Sequence, residues 1–297
     1  MMKRFALALA LSTSLMGSAC SAQDGNAATT ISSNISMDIP AEAWRIVDPE
    51  NLIIIDTAYG KIGVELYPEI APAHVERVKA LSRSGFYDNV KFHRVIEGFM
   101  NQTGDGANGD GTGDSDLPDL QAEFTFRRDE SMPVTLVGVR QEGQKQIDVG
   151  FYKALPVATQ PTAQAMLTID GKVGAFGLHC RGVTSMARTS EPNSANSQFF
   201  LMRDKATHLD TQYSIWGSTV MGHEYLERFK VGTVGEDGFV PDQMNTVRVA
   251  ADIPEADRPN VQVMKTSHPA FKNYLKTQKN EDGTFPDICE MAVPAKI

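Results

Sequence analysis

The sequence predicts a mainly β fold, an antiparallel barrel accompanied by two helices. Short apolar segments recur along the chain, each bounded by Gly, Pro, Asn or Asp. Only two stretches before residue 250 carry the spacing of a helix. The 297 residues are 41% hydrophobic, enough for one large core or two small ones, and no internal repeat divides them. Many short strands with few helices point to a barrel.

The chain opens with what reads as a secretory leader, residues 1–22. Lys3 and Arg4 supply its charge, residues 5–17 its apolar run, and Ser18-Ala19-Cys20-Ser21-Ala22 its small-residue end. The run is too short for a transmembrane helix, which needs about 20 apolar residues. Cys20 is a candidate for lipidation, although Gly17 stands where lipoprotein leaders usually carry Leu or a similar residue. Lipidation and plain export both stay open. Residues 23–48 read as a flexible tether, rich up to Pro40 in Ser, Ala, Asn and Thr.

Residues 52–57 and 61–67 are expected to be strands joined at Tyr59-Gly60. Pro72 opens a helix and Gly85 closes it, with Val75, Val78 and Leu81 along its packing face. A strand starting at Phe92 breaks at Gly98, resumes, and runs into a loop dense in Gly and Asp. Residues 127–174 form a long segment with strand-like pieces at 134–139 and 166–169 and a hairpin signal at Asp170-Gly171. Further short strands are expected at 182–186, 198–202, 214–217 and 246–250. A short helix over 223–230 turns Leu226 and Phe229 inward. The barrel domain spans 49–253, and the extension 254–297 holds one helix near Phe271, Tyr274 and Leu275.

Net charge is −9, and removing Lys3 and Arg4 with the leader makes it −11. That balance disfavours nucleic acid and anionic lipid surfaces as partners; membrane contact is expected only through a lipid on Cys20. Beyond Cys20 the thiols are Cys180 and Cys289. In an oxidising compartment they can form one bridge from core to tail; two unrelated buried thiols are the other reading. No G-x-S-x-G or H-E-x-x-H is present, and His223-Glu224 lacks the second His of a zinc site. The loop 105–116 lacks EF-hand spacing and reads as a solvated turn, so no metal is expected.

Side chains alternate along a strand, so Arg94, Ile96, Gly98, Met100 and Gln102 share one face. A permanent cation, an amide and an unbranched apolar chain make a poor core and a plausible binding surface. The run Phe92-His93-Arg94, Ile96, Gly98-Phe99-Met100, Gln102, Gly104-Asp105 resembles F-H-R-x-I-x-G-F-M-x-Q-x-G-D, the signature of cyclophilins, the peptidyl-prolyl cis-trans isomerases. Residues 185–200, SMARTSEPNSANSQFF, are similar to the bacterial form S-M-A-R-T-x-x-P-x-S-A-x-S-Q-F-F. Leu209-Asp210 and Trp216-Gly217 stand where that family has its L-D and F-G pairs. The resemblance covers residues 52–250, interrupted by 127–174.

The resemblance implies an eight-stranded antiparallel barrel capped by helices 72–84 and 223–230, with an insertion at 127–174, a C-terminal extension, and a proline groove on its outside. It places the catalytic Arg at Arg94 and the proline pocket at Phe99, Met100, Phe200 and Leu209. Gln102 and Gln198 would hold the substrate backbone, with Gly111 and Ala187 lining the groove. His208 stands where many members have a Trp that contacts cyclosporin. Tyr213 replaces a pocket His and keeps an aromatic ring with a polar tip. Arg188 and Thr189 replace the Asn-Ala of the eukaryotic form, and His93 reads as structural.

The chemistry suits these residue types. Rotation about an X-Pro amide faces about 18–20 kcal/mol because resonance keeps the bond planar. No bond is made or broken, so no cofactor, metal or nucleophile is required. The site needs an apolar slot for the ring and a donor for the prolyl nitrogen, which gains a lone pair as conjugation is lost. A guanidinium, always charged and rigidly forked, is such a donor. The expected partners are proline-containing polypeptides, exported proteins of a periplasmic compartment. The alternative is the same barrel serving as a chaperone or assembly module with little turnover.

Overall fold

The computed structural model describes residues 39–143 and 145–297; the leader, Cys20 and the tether up to residue 38 lie outside the described residues. In chain order, β1 (Trp44–Ile46) precedes the hairpin of β2 (Leu52–Thr57) and β3 (Gly60–Leu66), and then α1 (Pro72–Arg83). β4 (Arg94–Ile96) and β5 (Met100–Thr103) follow. Next come β6 (Phe126–Arg128), β7 (Thr135–Glu142), β8 (Lys145–Tyr152), β9 (Leu155–Thr159) and β10 (Val173–Gly177). β11 (Val183–Met186), β12 (Phe199–Met202), β13 (Ile215–Met221), β14 (Gly232–Thr233) and β15 (Met244–Val249) return to the first sheet. The tail carries β16 (Gln262–Met264), α2 (Pro269–Thr277) and β17 (Ala295–Lys296).

Nine strands form one curled antiparallel sheet in the order β14-β4-β5-β12-β11-β13-β3-β2-β15, rather than eight, counting the two-residue β14 at one edge. The Phe92 N–H donates to Asp242 O (2.8 Å) and the Met244 N–H to Val90 O (2.9 Å), tying the chain before β4 to the start of β15. Apolar side chains fall into three clusters, the smallest joining Leu52, Ile54, Val220 and Met221 to Val261 and Val263 of the tail, and strand alternation separates the two largest. Phe199, Leu201, Trp216, Val95 and Met186 point into the barrel, where they meet Tyr87, Phe92 and Phe229. Phe200, Met202, Met100 and Ile215, one residue out of phase, point outward. α1 packs Val75, Val78 and Leu81 on the barrel cluster, and its first-turn N–H groups at Ala73 and His74 donate to the Glu123 carboxylate (3.3 and 3.2 Å).

A five-stranded sheet, β6-β10-β9-β8-β7, covers the outer face. Its Phe151, Leu155 and Val157 share a cluster with Phe271, Tyr274, Leu275 and Ile288 of the tail and with Trp44. The rings of Phe151 and Phe271 meet edge to face at 5.9 Å. Residues 41–46, within the stretch read as a tether, form a turn and β1, which pairs with β16. Cys180 and Cys289 are joined in a disulfide. Among the described residues no helix is long and apolar enough to cross a membrane.

Two expected elements outside the Arg94–Gln102 stretch differ. Residues 223–230 form a 3-10 turn at His223–Tyr225 and further turns, not an α-helix. The bonds such a helix would need are taken: Asn101 Nδ2 donates to Leu226 O (2.9 Å), Arg203 to Glu227 O (3.0 Å) and Phe229 O (3.2 Å), and the Lys230 N–H goes to Asp242 (2.8 Å). Leu226 and Phe229 are nonetheless buried. Residues 166–169 belong to no strand. Thr168 Oγ1 donates toward Ala165 O (2.8 Å) and Lys172 O (2.9 Å), closing a local turn that leaves Met166, Leu167 and Ile169 exposed.

Candidate active site

The strand expected to resume past Gly98 instead doubles back. Gly98 takes φ +61°, open to Gly at little steric cost, and β4 and β5 become a hairpin with Arg94 paired to Gln102 and Ile96 to Met100. The register continues across the sheet, Gln102 to Phe200, Phe200 to Ser185 and Ser185 to Ile215. Neighbouring strands lie about 4.8 Å apart, so a cation, an amide and an aromatic ring stand in one row on the outer face.

Hydrogen bonds give this row a direction. Arg94 Nη1 donates to Gln102 Oε1 (3.2 Å), which leaves Gln102 Nε2 to donate to Gln198 Oε1 (3.1 Å). Gln198 Nε2 then donates to the carbonyls of Gly111 (3.0 Å) and Gly113 (2.9 Å). An Arg only donates, so every amide in the chain is oriented by the guanidinium at its head. Arg94, Gln102, Gln198 and Gly111 are all partly exposed. Gly111 has φ +93° and lies over the buried His93, whose ring a Cβ there would meet at 3.0 Å. Burial holds the His93 imidazole below its ordinary pKa.

The apolar residues gather beside this row. Phe200, Met100 and Leu209 belong to one buried cluster, with Phe99, Ala187 and Tyr213 packed on it. Phe99 is partly exposed and stacks on the exposed His208 (centroids 5.8 Å apart). Tyr213 meets Phe200 edge-on at 5.5 Å, and the Arg188 guanidinium lies over Tyr213 at 4.7 Å. The Ala187 N–H donates to Gln198 O (2.8 Å), tying the end of β11 to the chain entering β12.

Two groups lay outside the sequence reading. The loop after β5 is largely exposed, as a solvated turn is, but it is organised from within: the buried Asp105 carboxylate accepts the N–H groups of Asn108 (2.8 Å), Asp110 (3.2 Å), Gly111 (2.8 Å) and Gly113 (3.0 Å). Burial alone would push the Asp105 carboxyl up; these backbone donors outweigh it and hold it well below the usual carboxylate range. The Gly-Asp density of the stretch was the available signal. Beneath Phe200, His179 stacks on the ring (6.2 Å) and bonds Asp210 (3.0 Å) and Ser185 (2.9 Å). Nothing near His179 in the sequence announces this. Among the described residues no cluster of three His, Cys, Asp or Glu side chains is arranged to hold a metal.

With this geometry in place, the comparisons agree. The family described as cyclophilin type peptidyl-prolyl cis-trans isomerase matches residues 52–250. A probable peptidyl-prolyl cis-trans isomerase of Brucella suis is 34% identical over 217 residues, 69% of this chain and 85% of that protein. Peptidyl-prolyl cis-trans isomerase CYP23 of Arabidopsis thaliana is 29% identical over 187 residues, 63% of each chain. The crystal structure of cyclophilin AquaCyp293 from Hirschia baltica is similar with a TM-score of 0.76 and 38% identity, over 85% of this chain and 92% of that one. The fold is that of a cyclophilin-type isomerase, and the outward row of cation, amide and aromatic ring on its curled sheet is the candidate site. The chain belongs to the cyclophilin-type peptidyl-prolyl cis-trans isomerase family.

Proposed function

We propose that the protein isomerises X-Pro bonds of exported polypeptides by non-covalent stabilisation of the twisted amide, with Arg94 as donor to the prolyl nitrogen. The observation that carries this is the Arg94–Gln102 pair set one strand from Phe200. Phe99, Met100, Phe200 and Leu209 hold the proline ring, while Gln102, Gln198 and the Gly111 and Ala187 backbone hold flanking peptide groups. His208 and Tyr213 form the outer wall. Stabilising the twisted state alone lowers the barrier, each 1.36 kcal/mol being about tenfold in rate.

A short proline peptide assayed in its cis and trans forms tests the reading. The wild type accelerates exchange, and Arg94→Ala loses about 10²-fold in kcat/KM, the usual cost of deleting one preorganised donor. Full activity in Arg94→Ala overturns the mechanism.

Export into an oxidising compartment is supported by the leader-like residues 1–22 and by the Cys180–Cys289 bridge, since disulfides persist where thiols are not kept reduced. Intact mass of the mature protein distinguishes a plain cleaved end from lipid on Cys20.

A further inference from the structure

Below the groove, four side chains form a line that starts in the five-stranded sheet. Arg140 on β7 donates to Asp210 Oδ2 (2.9 Å) and lies over the Phe176 ring (5.9 Å). Asp210 Oδ1 accepts from the His179 backbone N–H (2.8 Å) and pairs with Nδ1 of its ring (3.0 Å). His179 Nε2 meets Ser185 Oγ (2.9 Å), and Ser185 is register partner of Phe200. The order Ser-His-Asp is that of a hydrolase, but Ser185 is fully buried, so no substrate carbonyl can reach its Oγ. The line must act on what it touches: the His179 ring, stacked on Phe200 and met edge-on by Tyr213 (6.4 Å).

We propose that Arg140 is a positioning residue for the proline slot, holding His179 neutral and fixed against Phe200 through Asp210. This rests on Phe200 belonging to that slot. Neutral His179 donates from Nδ1 to the carboxylate and accepts from Ser185 at Nε2. The Asp210 charge invites a second proton onto the ring; Arg140, sharing the same carboxylate, offsets that charge. Burial and the nearby His208 also oppose protonation. Among the described residues Tyr213 and Ser185 also face the ring, and Arg188 lies beyond Tyr213. A protonated ring would place a charge against Phe200 and turn the Ser185 hydroxyl proton away, altering the slot. Through Arg140 the five-stranded sheet, distant in sequence, sets the acid limit of proline binding.

The test compares wild type, Arg140→Gln and Arg140→Lys by NMR titration of the His179 imidazole and by affinity for a proline tetrapeptide from pH 5 to 8. In Arg140→Gln the ring titrates about one pH unit higher, the effect of removing one nearby opposing charge, and peptide affinity falls on the acid side with it. Arg140→Lys restores both, and the deficit of Arg140→Gln is widest at the acid end of the range. Unchanged His179 titration in Arg140→Gln overturns the inference, as does a shifted titration with unchanged peptide affinity. Failure of the wild type to isomerise the peptide would instead refute the catalytic reading, while titration and affinity still decide the role of Arg140.

Discussion

Gln102 is the residue at which orientation and charge meet. Its Oε1 faces Arg94 and its Nε2 faces Gln198, so Gln102→Glu keeps the shape while putting a carboxylate on the guanidinium. The donor proposed for the prolyl nitrogen is then neutralised, and kcat/KM is expected to fall at least about tenfold at pH 7. Arg94 would hold the new carboxyl below the ordinary Glu value of about 4.3, so the loss persists down to about pH 4 and eases only below it. An unaltered rate at pH 7 would show that the Arg94 charge is not used. The shared face of the candidate site was legible because strand parity is legible: even-numbered residues from Arg94 to Gln102, and Phe200, lie on one side once their strands are placed. Asp210 and His179 were not, because their partners stand 31 residues apart and Arg140 a further 39 from His179, separations no local pattern encodes.

Elements were legible where the backbone bonds stay within them. α1 has a Pro start, a Gly end and three apolar residues at helical spacing, and it forms over Pro72–Arg83. The 223–230 segment has the spacing too, yet Asn101, Arg203 and Asp242 claim its carbonyls and an N–H, which sequence periodicity does not record. The loop 105–113 follows the same rule, its N–H groups converging on one side chain rather than on solvent. Asp105→Asn presents those donors with an amide carrying its own N–H groups, and is expected to destabilise by about 2–3 kcal/mol at pH 7. Because the folded Asp105 carboxyl titrates below the unfolded one, its contribution is present above about pH 4 and is lost as pH falls through the folded value. The gap between wild type and Asp105→Asn in denaturant melts should therefore narrow in strong acid; a gap constant from pH 7 to pH 2 would mean the carboxylate charge does not organise the loop. Turnover should fall as well, since the Gly111 and Gly113 carbonyls anchor Gln198.

At the scale of the molecule, the side chains proposed for the groove belong to the outer cluster, not to the barrel interior. Met100, Phe200 and Leu209 pack in one continuous group with Phe151 of the five-stranded sheet and Phe271 of α2, whereas the barrel cluster draws on nothing beyond residue 251. The Cys180–Cys289 bridge spans 109 residues and fastens the tail next to His179. Closing a loop of that length constrains the unfolded chain by about 4–5 kcal/mol in the chain-entropy picture. The two Trp residues fall in different clusters: Trp216 lies inside the barrel, and Trp44, in the outer layer, carries Lys296 over its ring at 4.3 Å. Trp216→Phe and Trp44→Phe thus leave one reporter each. On reduction, the Trp44 midpoint in denaturant is expected to drop further than the Trp216 midpoint, and turnover to fade with the Trp44 signal because the proposed slot shares its cluster. Coincident midpoints after reduction would mean that barrel and outer layer melt as one unit, and that the bridge stabilises both equally.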